Sequence, residues 1–421
     1  MATKNKPQPE ELDELIERCA GIDVGQAELV ACARVPDHEG KRVKEIATFG
    51  TTTPDLLALS DWLGRLGVSD VAMESTGVYW KAIFYILEND FNVILVNARH
   101  IKHVPGRKTD TIDAAWIALL LSRGLLRPSF VPPQPIRELR DLTRYRKALI
   151  KERTSEINRI HKTLEDAGIK LTSVASDAMG ASGRDMMRAL VQGVADPAAL
   201  AELARGKLRA KLPQLQKALT GRFREHHAFL LERMLSHVDD LEADIAALSE
   251  RIEAAIAPFE GHRLLLETIP GVGQRSAEVI LAEIGTDMSV FPTAGHLASW
   301  AGLCPGQNES AGKRGSTKTT KGSKWLRAAL IESARRAARL KGTYLAERYL
   351  QVCRRRGDKK AIVAVAHEIL IAAYRCLATG GLYEDPGPET LRNLSAEHVK
   401  RRALAQLRSL GYDVELNHPA A

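Results

Sequence analysis

Two apolar, strand-like runs end on acids: Leu15 to Val24, with Asp23 in Gly21-Ile22-Asp23-Val24-Gly25, and Val71 to Met73, followed by Glu74. No other pattern constrains the N-terminal part of the chain as much. A side chain at a strand's end can project from a sheet into a cleft, because successive residues alternate faces up to the last one. Two further acids lie three apart in Thr109-Asp110-Thr111-Ile112-Asp113-Ala114-Ala115, which reads as the opening of a helix with Thr109 as N-cap. That spacing puts Asp110 and Asp113 on one helical face. Taken singly, each acid has an ordinary explanation as a turn former or as a complement to the helix dipole. Taken in order, Asp23, Glu74, Asp110 and Asp113 are hard oxygen donors suited to Mg2+ or Mn2+. Paired ions of that kind serve phosphodiester chemistry on nucleic acid.

The surrounding pattern alternates: strands over 15–24, 27–35 and 43–49, a helix over 54–66, a strand over 69–74, a helix over 77–89, a strand over 91–97, a helix over 110–123 and a short strand at Ser129–Val131. This predicts an α/β domain with a central sheet, spanning 16–135. Pro128, Pro132, Pro133 and Pro135 close it. Leu139, Leu142, Leu149, Ile157, Ile160 and Leu164 then recur at helical steps from Ile136 to Ala167. Leu230, Met234, Leu241, Ile245, Leu248 and Ile252 do the same from Phe229 to Ile256. The two stripes fit a helical hairpin or coiled coil within 136–258, and equally a pair of ordinary core helices. Residues 170–225 between them read as an inserted helical subdomain.

From Leu264 to Ile284 the order is helix, Pro270-Gly271-Val272-Gly273, helix. This is a helix-hairpin-helix signature, whose glycines leave bare amides to grip phosphate oxygens. It opens a mainly helical C-terminal domain over 259–380, with helices at 324–340 and 359–378 and a polar, loosely packed tail over 381–421.

The chain has 421 residues, 45% hydrophobic and 27% charged, with a formal net charge of +8, enough for two or three domains with cores of their own. No run approaches 18 uninterrupted apolar residues and the N-terminus lacks a signal peptide, so the expected compartment is the cytoplasm, with no membrane partner. Five scattered cysteines form no metal or redox spacing. Basic residues cluster in three places: Arg137 to Lys162, Arg354 to Arg356, and Lys313, Arg314, Lys318, Lys321, Lys324 and Arg327, the last group without an acid among them. Charge runs are usually solvated faces; beside a phosphodiester site they favour a nucleic-acid partner.

Before the helix near Lys324 lies Gly302-Leu303-Cys304-Pro305-Gly306-Gln307-Asn308-Glu309-Ser310-Ala311-Gly312-Lys313-Arg314-Gly315-Ser316. Its cations could stabilise phosphorane-like charge beside a serine nucleophile. On residues alone, a phosphate-binding loop with merely solvated serines fits equally.

Together these motifs resemble the DEDD transposases of bacterial insertion sequences, the insertion-sequence-110 family of RNA-guided bridge recombinases. The likeness rests on Gly21-Ile22-Asp23-Val24-Gly25, Glu74-Ser75-Thr76-Gly77-Val78-Tyr79-Trp80, Lys108-Thr109-Asp110-Thr111-Ile112-Asp113-Ala114, Ile269-Pro270-Gly271-Val272-Gly273, Ala301-Gly302-Leu303-Cys304-Pro305 and the Ser310 loop. The resemblance implies a RuvC-like, ribonuclease H-fold first domain with Asp23, Glu74, Asp110 and Asp113 binding Mg2+, a coiled coil linking protomers of a dimer or tetramer, and catalytic Ser310. It also implies donor DNA, target DNA and a noncoding bridge RNA as partners. Many members write the serine motif as Ser-Gly; here Ala311 intervenes and Ser316 follows, with Ser310 the first choice. Rival readings are a junction nuclease using metal-activated water, an actin-like ATPase, for which the second Asp-Gly phosphate loop is missing, and a non-catalytic DNA-binding protein.

Overall fold

The alternating runs pair into a five-stranded mixed sheet: β1 (Cys19–Val24), β2 (Glu28–Pro36), β3 (Arg42–Gly50), β4 (Asp70–Glu74) and β5 (Asn92–Val96), in the order β3-β2-β1-β4-β5. The first three form an antiparallel meander, while β1, β4 and β5 run parallel. This is a computed structural model describing residues 13–97, 113–305, 309–310, 313–314 and 318–413. The chain divides into two units between Val131 and Pro132.

β1 and β4 are apolar on both faces because both faces are covered. On one side, Ile22, Val71 and Met73 pack with Leu56, Leu59 and Leu63 of α1 (Thr53–Arg65) and Ile83 and Leu87 of α2 (Trp80–Leu87). On the other lies α3 (Asp113–Ser122), in which Ala114 through Ser122 are all buried. A helix apolar all round belongs in a core. It approaches β1 at Gly21, where a Cβ would stand 2.3 Å from the Ala114 carbonyl oxygen and 2.4 Å from the Ala118 amide nitrogen. The expected strand at 129–131 is not formed; only Pro128 bridges to Val96. Proline has no amide to donate, and Pro132 and Pro133 follow at once.

The second unit opens with α4 (Gln134–Asp166), started by Pro135 in its first turn. It pairs with α9 (Glu225–Ile256): Arg153 meets Glu242, Thr163 meets Met234 and Asp166 meets His227, so the two run antiparallel. Between them, α5 (Leu171–Val174), α6 (Ala181–Val191), α7 (Pro197–Glu202) and α8 (Leu212–Leu219) enclose a core of Met186, Met187, Leu190, Leu200 and Leu215. Then come α10 (Glu260–Glu267), α11 (Gln274–Ile284), α12 (Ala294–Trp300), the two-residue strands β6 (Glu309–Ser310) and β7 (Lys313–Arg314), α13 (Lys324–Ala337), α14 (Tyr344–Arg356), α15 (Asp358–Thr379) and α16 (Pro388–Ser409).

α15 is long and apolar enough by composition to cross a membrane. Its buried residues, from Ala361 to Leu377, recur at three- and four-residue steps, as in a helix packed into a protein core. The tail expected to be loosely packed instead contains α16, in contact with α14.

Gly21→Ala should push α3 off the sheet and cost about 1–3 kcal/mol or more. Urea denaturation followed by tryptophan fluorescence measures it; unchanged stability would mean that the sheet and α3 can separate without loss.

Candidate active site

The last paired residues of β1 and β4 are Ile22 and Met73. Asp23 and Glu74 therefore come side by side one step further on. Alternation gives Asp23 the face of Gly21, and Glu74 the face of Ala72, which packs with Trp116 and Leu120 of α3. Both acids thus belong to the face that α3 covers. Asp113, the first residue of α3, precedes the Ala114 that lies over Gly21 and so reaches the same end of the sheet. The proximity has an electrostatic signature. Burial first, and then the negative charge of Asp113, raise the Asp23 carboxyl above its ordinary pKa, against a hydrogen bond from the Val24 amide that favours ionisation.

The strand ends and the start of α3 put Asp23, Glu74 and Asp113 at the same end of the sheet, with Asp113 acting on Asp23; Asp110 and its proposed cap Thr109 lie outside the described residues. Among the described residues, no three His, Cys, Asp or Glu side chains gather closely enough to hold one ion. What the arrangement offers is a carboxylate group whose mutual repulsion a divalent cation would relieve.

The serine loop is organised from its stems. Gly302 has φ +69°, and a Cβ there would stand 2.6 Å from the Gly322 amide nitrogen; one on Gly322 would stand 2.2 Å from the Ala301 carbonyl. The two glycines let the stems cross backbone against backbone. Between them Ser310 pairs with Lys313 across β6 and β7; Ser316 lies outside the described residues. Arg327, expected to touch nucleic acid, uses Nη1 to hold this stem, donating to Gly302 O (2.9 Å) and Thr319 Oγ1 (3.0 Å). Lys318, Lys321 and Lys324 remain exposed.

Gly271 and Gly273 turn out to differ. Gly271, with φ +86°, is pressed onto α13: a Cβ would stand 2.4 Å from Ser333 O. Gly273 begins α11 in extended conformation, and a Cβ there would meet only the tip of a side chain, Arg336 Nη1 at 3.7 Å. Packing thus explains the first glycine, while the second lies under a flexible guanidinium and not against backbone.

Sequence reasoning missed Glu283. Buried at the end of α11, it takes a two-pronged ion pair from Arg144 (2.7 and 2.9 Å) and a hydrogen bond from Ser323, whose Oγ also caps α13. Arg146 pairs with buried Glu278, Lys147 with Glu332 and Arg153 with Glu242. Four cations of the basic run of α4, read as nucleic-acid surface, are therefore spent on internal pairing. No spacing rule signals this, since the partners are more than 80 residues away.

Residues 20–169 match a family model described as "Transposase", for the DEDD group of IS110, and residues 263–350 one described as "Transposase IS116/IS110/IS902 family". The chain belongs to the IS110 family of transposases. As an IS110-family transposase it is similar to the insertion element IS110 uncharacterized 43.6 kDa protein of Streptomyces coelicolor, 29% identical over 68% of this chain and 74% of that one. It is also similar to the transposase for insertion sequence element IS1111A of Coxiella burnetii, 27% identical over 73% and 77%. Among solved structures, Thermus thermophilus RuvC aligns with 27% of this chain and 99% of its own, at 15% identity and a TM-score of 0.21, too low to establish a common fold.

In this transposase, the raised Asp23 pKa means that the native state favours the neutral carboxyl. That preference stabilises the fold at low pH and is lost as pH rises through the native pKa, leaving at neutrality a penalty set first by burial of the charged form and then by Asp113. Asp23→Asn should therefore raise Tm at pH 7, with the gain fading below the ordinary aspartate range, about pH 4. Paired melts at the two pH values read it; an equal effect at both would exclude ionisation as the cause.

Proposed function

We propose that this transposase cuts and rejoins donor and target DNA through a serine nucleophile and divalent metal ions, with a noncoding bridge RNA choosing the sites. The placement of Asp23, Glu74 and Asp113 at one end of the sheet, by strand register and the start of α3, supports the reading. Asp110 completes the set of donors, and the domain is RuvC-like. Hard carboxylate oxygens suit Mg2+ or Mn2+. Bound there, such ions would polarise a DNA phosphate and steady the oxygen that leaves it.

The residues of the chain carry the remaining work. Ser310 Oγ forms a bond to phosphorus as the ester bond to a deoxyribose oxygen breaks, conserving the phosphodiester as phosphoserine until a second DNA end attacks. Lys313 and Arg314, next to Ser310 on the paired strand, would offset the charge gained at phosphorus. The hairpin before α11, together with Lys318, Lys321 and Lys324, would grip backbone phosphates. Base pairing by the RNA leaves the protein to recognise shape rather than sequence. The α4–α9 pair would join protomers as a coiled coil, giving a dimer or tetramer acting on the bacterial nucleoid.

With donor and target DNA, the element's RNA and Mg2+, wild-type protein should give joined product and a protein–DNA adduct on denaturing gels. Ser310→Ala should lose both, by at least about a hundredfold, while still binding DNA. Asp23→Ala or EDTA should do the same. Joining by Ser310→Ala would overturn the nucleophile, and cleavage without an adduct would point to metal-activated water.

A further inference from the structure

In the second unit, α4, α11 and α13 enclose a cavity of about 170 Å3 that the reaction above does not use. Among its lining residues, buried Arg146 is already paired with Glu278, 2.5 Å away. Its wall is apolar: Ile150, Val279, Ala329 and the half-buried ring of Trp325. Lys324 Nζ stands 5.0 Å from that ring's centroid, making Trp325 a plate with a cation against it. Arg144 and Lys147 are tied to Glu283 and Glu332. Arg275 and Arg336 are different: both are exposed at the cavity, and among the described residues no ion pair engages either. Arg275 is the second residue of α11, directly after the hairpin, and Arg336 Nη1 would stand 3.7 Å from a Cβ on Gly273.

A narrow apolar slot with an aromatic plate and two unneutralised guanidiniums fits a flat ring attached to an anion. A bare phosphate would engage the arginines and leave the wall idle. A base pair is too large for the space, and a paired base offers no free face to stack. We propose that this cavity receives one unpaired base of a nucleic-acid strand, stacked on Trp325, with the adjoining phosphate held by Arg275 and Arg336. The strand could be displaced DNA or RNA; the chemistry is shared. The site goes beyond the catalytic reading and needs neither the acids nor Ser310.

The test uses the full chain without Mg2+ and short single strands, DNA and RNA, carrying a central 2-aminopurine or an abasic residue there. Wild type should quench the 2-aminopurine and bind the base-bearing strand about tenfold tighter than the abasic one, the scale of one base–aromatic stack. Trp325→Ala should lose both the quench and the preference, and Trp325→Phe should keep most of each. Arg275→Ala with Arg336→Ala should weaken base-bearing and abasic strands alike and flatten the salt dependence. The tighter of the DNA and RNA arms identifies the source strand. Equal affinity of wild type for base-bearing and abasic strands would overturn the proposal, and that comparison stands even if a variant fails to fold. So would a blunt duplex competing as well as a single strand, or an unaltered quench with a folded Trp325→Ala protein.

Discussion

The first unit is organised by the contact between the backbone of β1 and the backbone of α3. Gly21 allows it, and Ala114 and Ala118 form the other side. Once α3 lies that close, Asp113 cannot avoid the end of β1, and the parallel register of β1 with β4 brings Glu74 to the same place. The acids do not attract one another; Asp23 is held against the charge of Asp113. What holds them is the burial of Trp116, Ile117, Leu120 and Leu121 behind them, each such side chain contributing roughly 1.5–3 kcal/mol. The unfavourable polar end is thus anchored by the favourable apolar one.

The second unit rests on a different balance. Its long helix α4 brings arginines to α11, and carboxylates there meet them: Glu283 with Arg144, Glu278 with Arg146. Arg140 adds hydrogen bonds to the Ala282 and Glu283 carbonyls, the otherwise unpartnered end of α11. Glu283 also fixes Ser323 and so the start of α13, which follows the serine loop. One buried carboxylate therefore couples three helices and one stem of that loop. Buried pairs of this sort set geometry more than they add stability, because desolvation offsets most of their attraction.

Much of this was legible in the sequence wherever periodicity was strong. The five strands, α1 and the long α4 and α9 follow directly from apolar spacing, and Gly21 lay within a motif already singled out for its aspartate. The failures have local causes. α14 has only Leu345 and Ala346 buried, too faint a stripe to see behind Arg354, Arg355 and Arg356. Its caps were the available signal: Thr343 accepts the Ala346 amide, and Gly357 ends the helix at φ +80°. α16 likewise opens with Pro388 after Gly387 but has no apolar face strong enough to mark it. The strand at 129–131 failed because prolines outweighed the β-branched and aromatic residues among them.

Charge was the least legible property, and the reason is general. A basic run shows how many cations a segment carries, not how many the fold consumes. On α4, Arg140, Arg144, Arg146, Lys147 and Arg153 are taken by partners distant in sequence, and at Arg327 it is a loop carbonyl that takes the donor. The cations that count for a polyanion are those left after folding, and they do not follow the runs. Arg275 stands alone in an apolar stretch of α11 and Arg336 near the end of α13, yet the hairpin at Gly271 packs on α13 and brings them to one mouth. Neither belongs to any of the three clusters visible in the sequence, so the electrostatic surface of this transposase is a product of its tertiary packing, not of its composition.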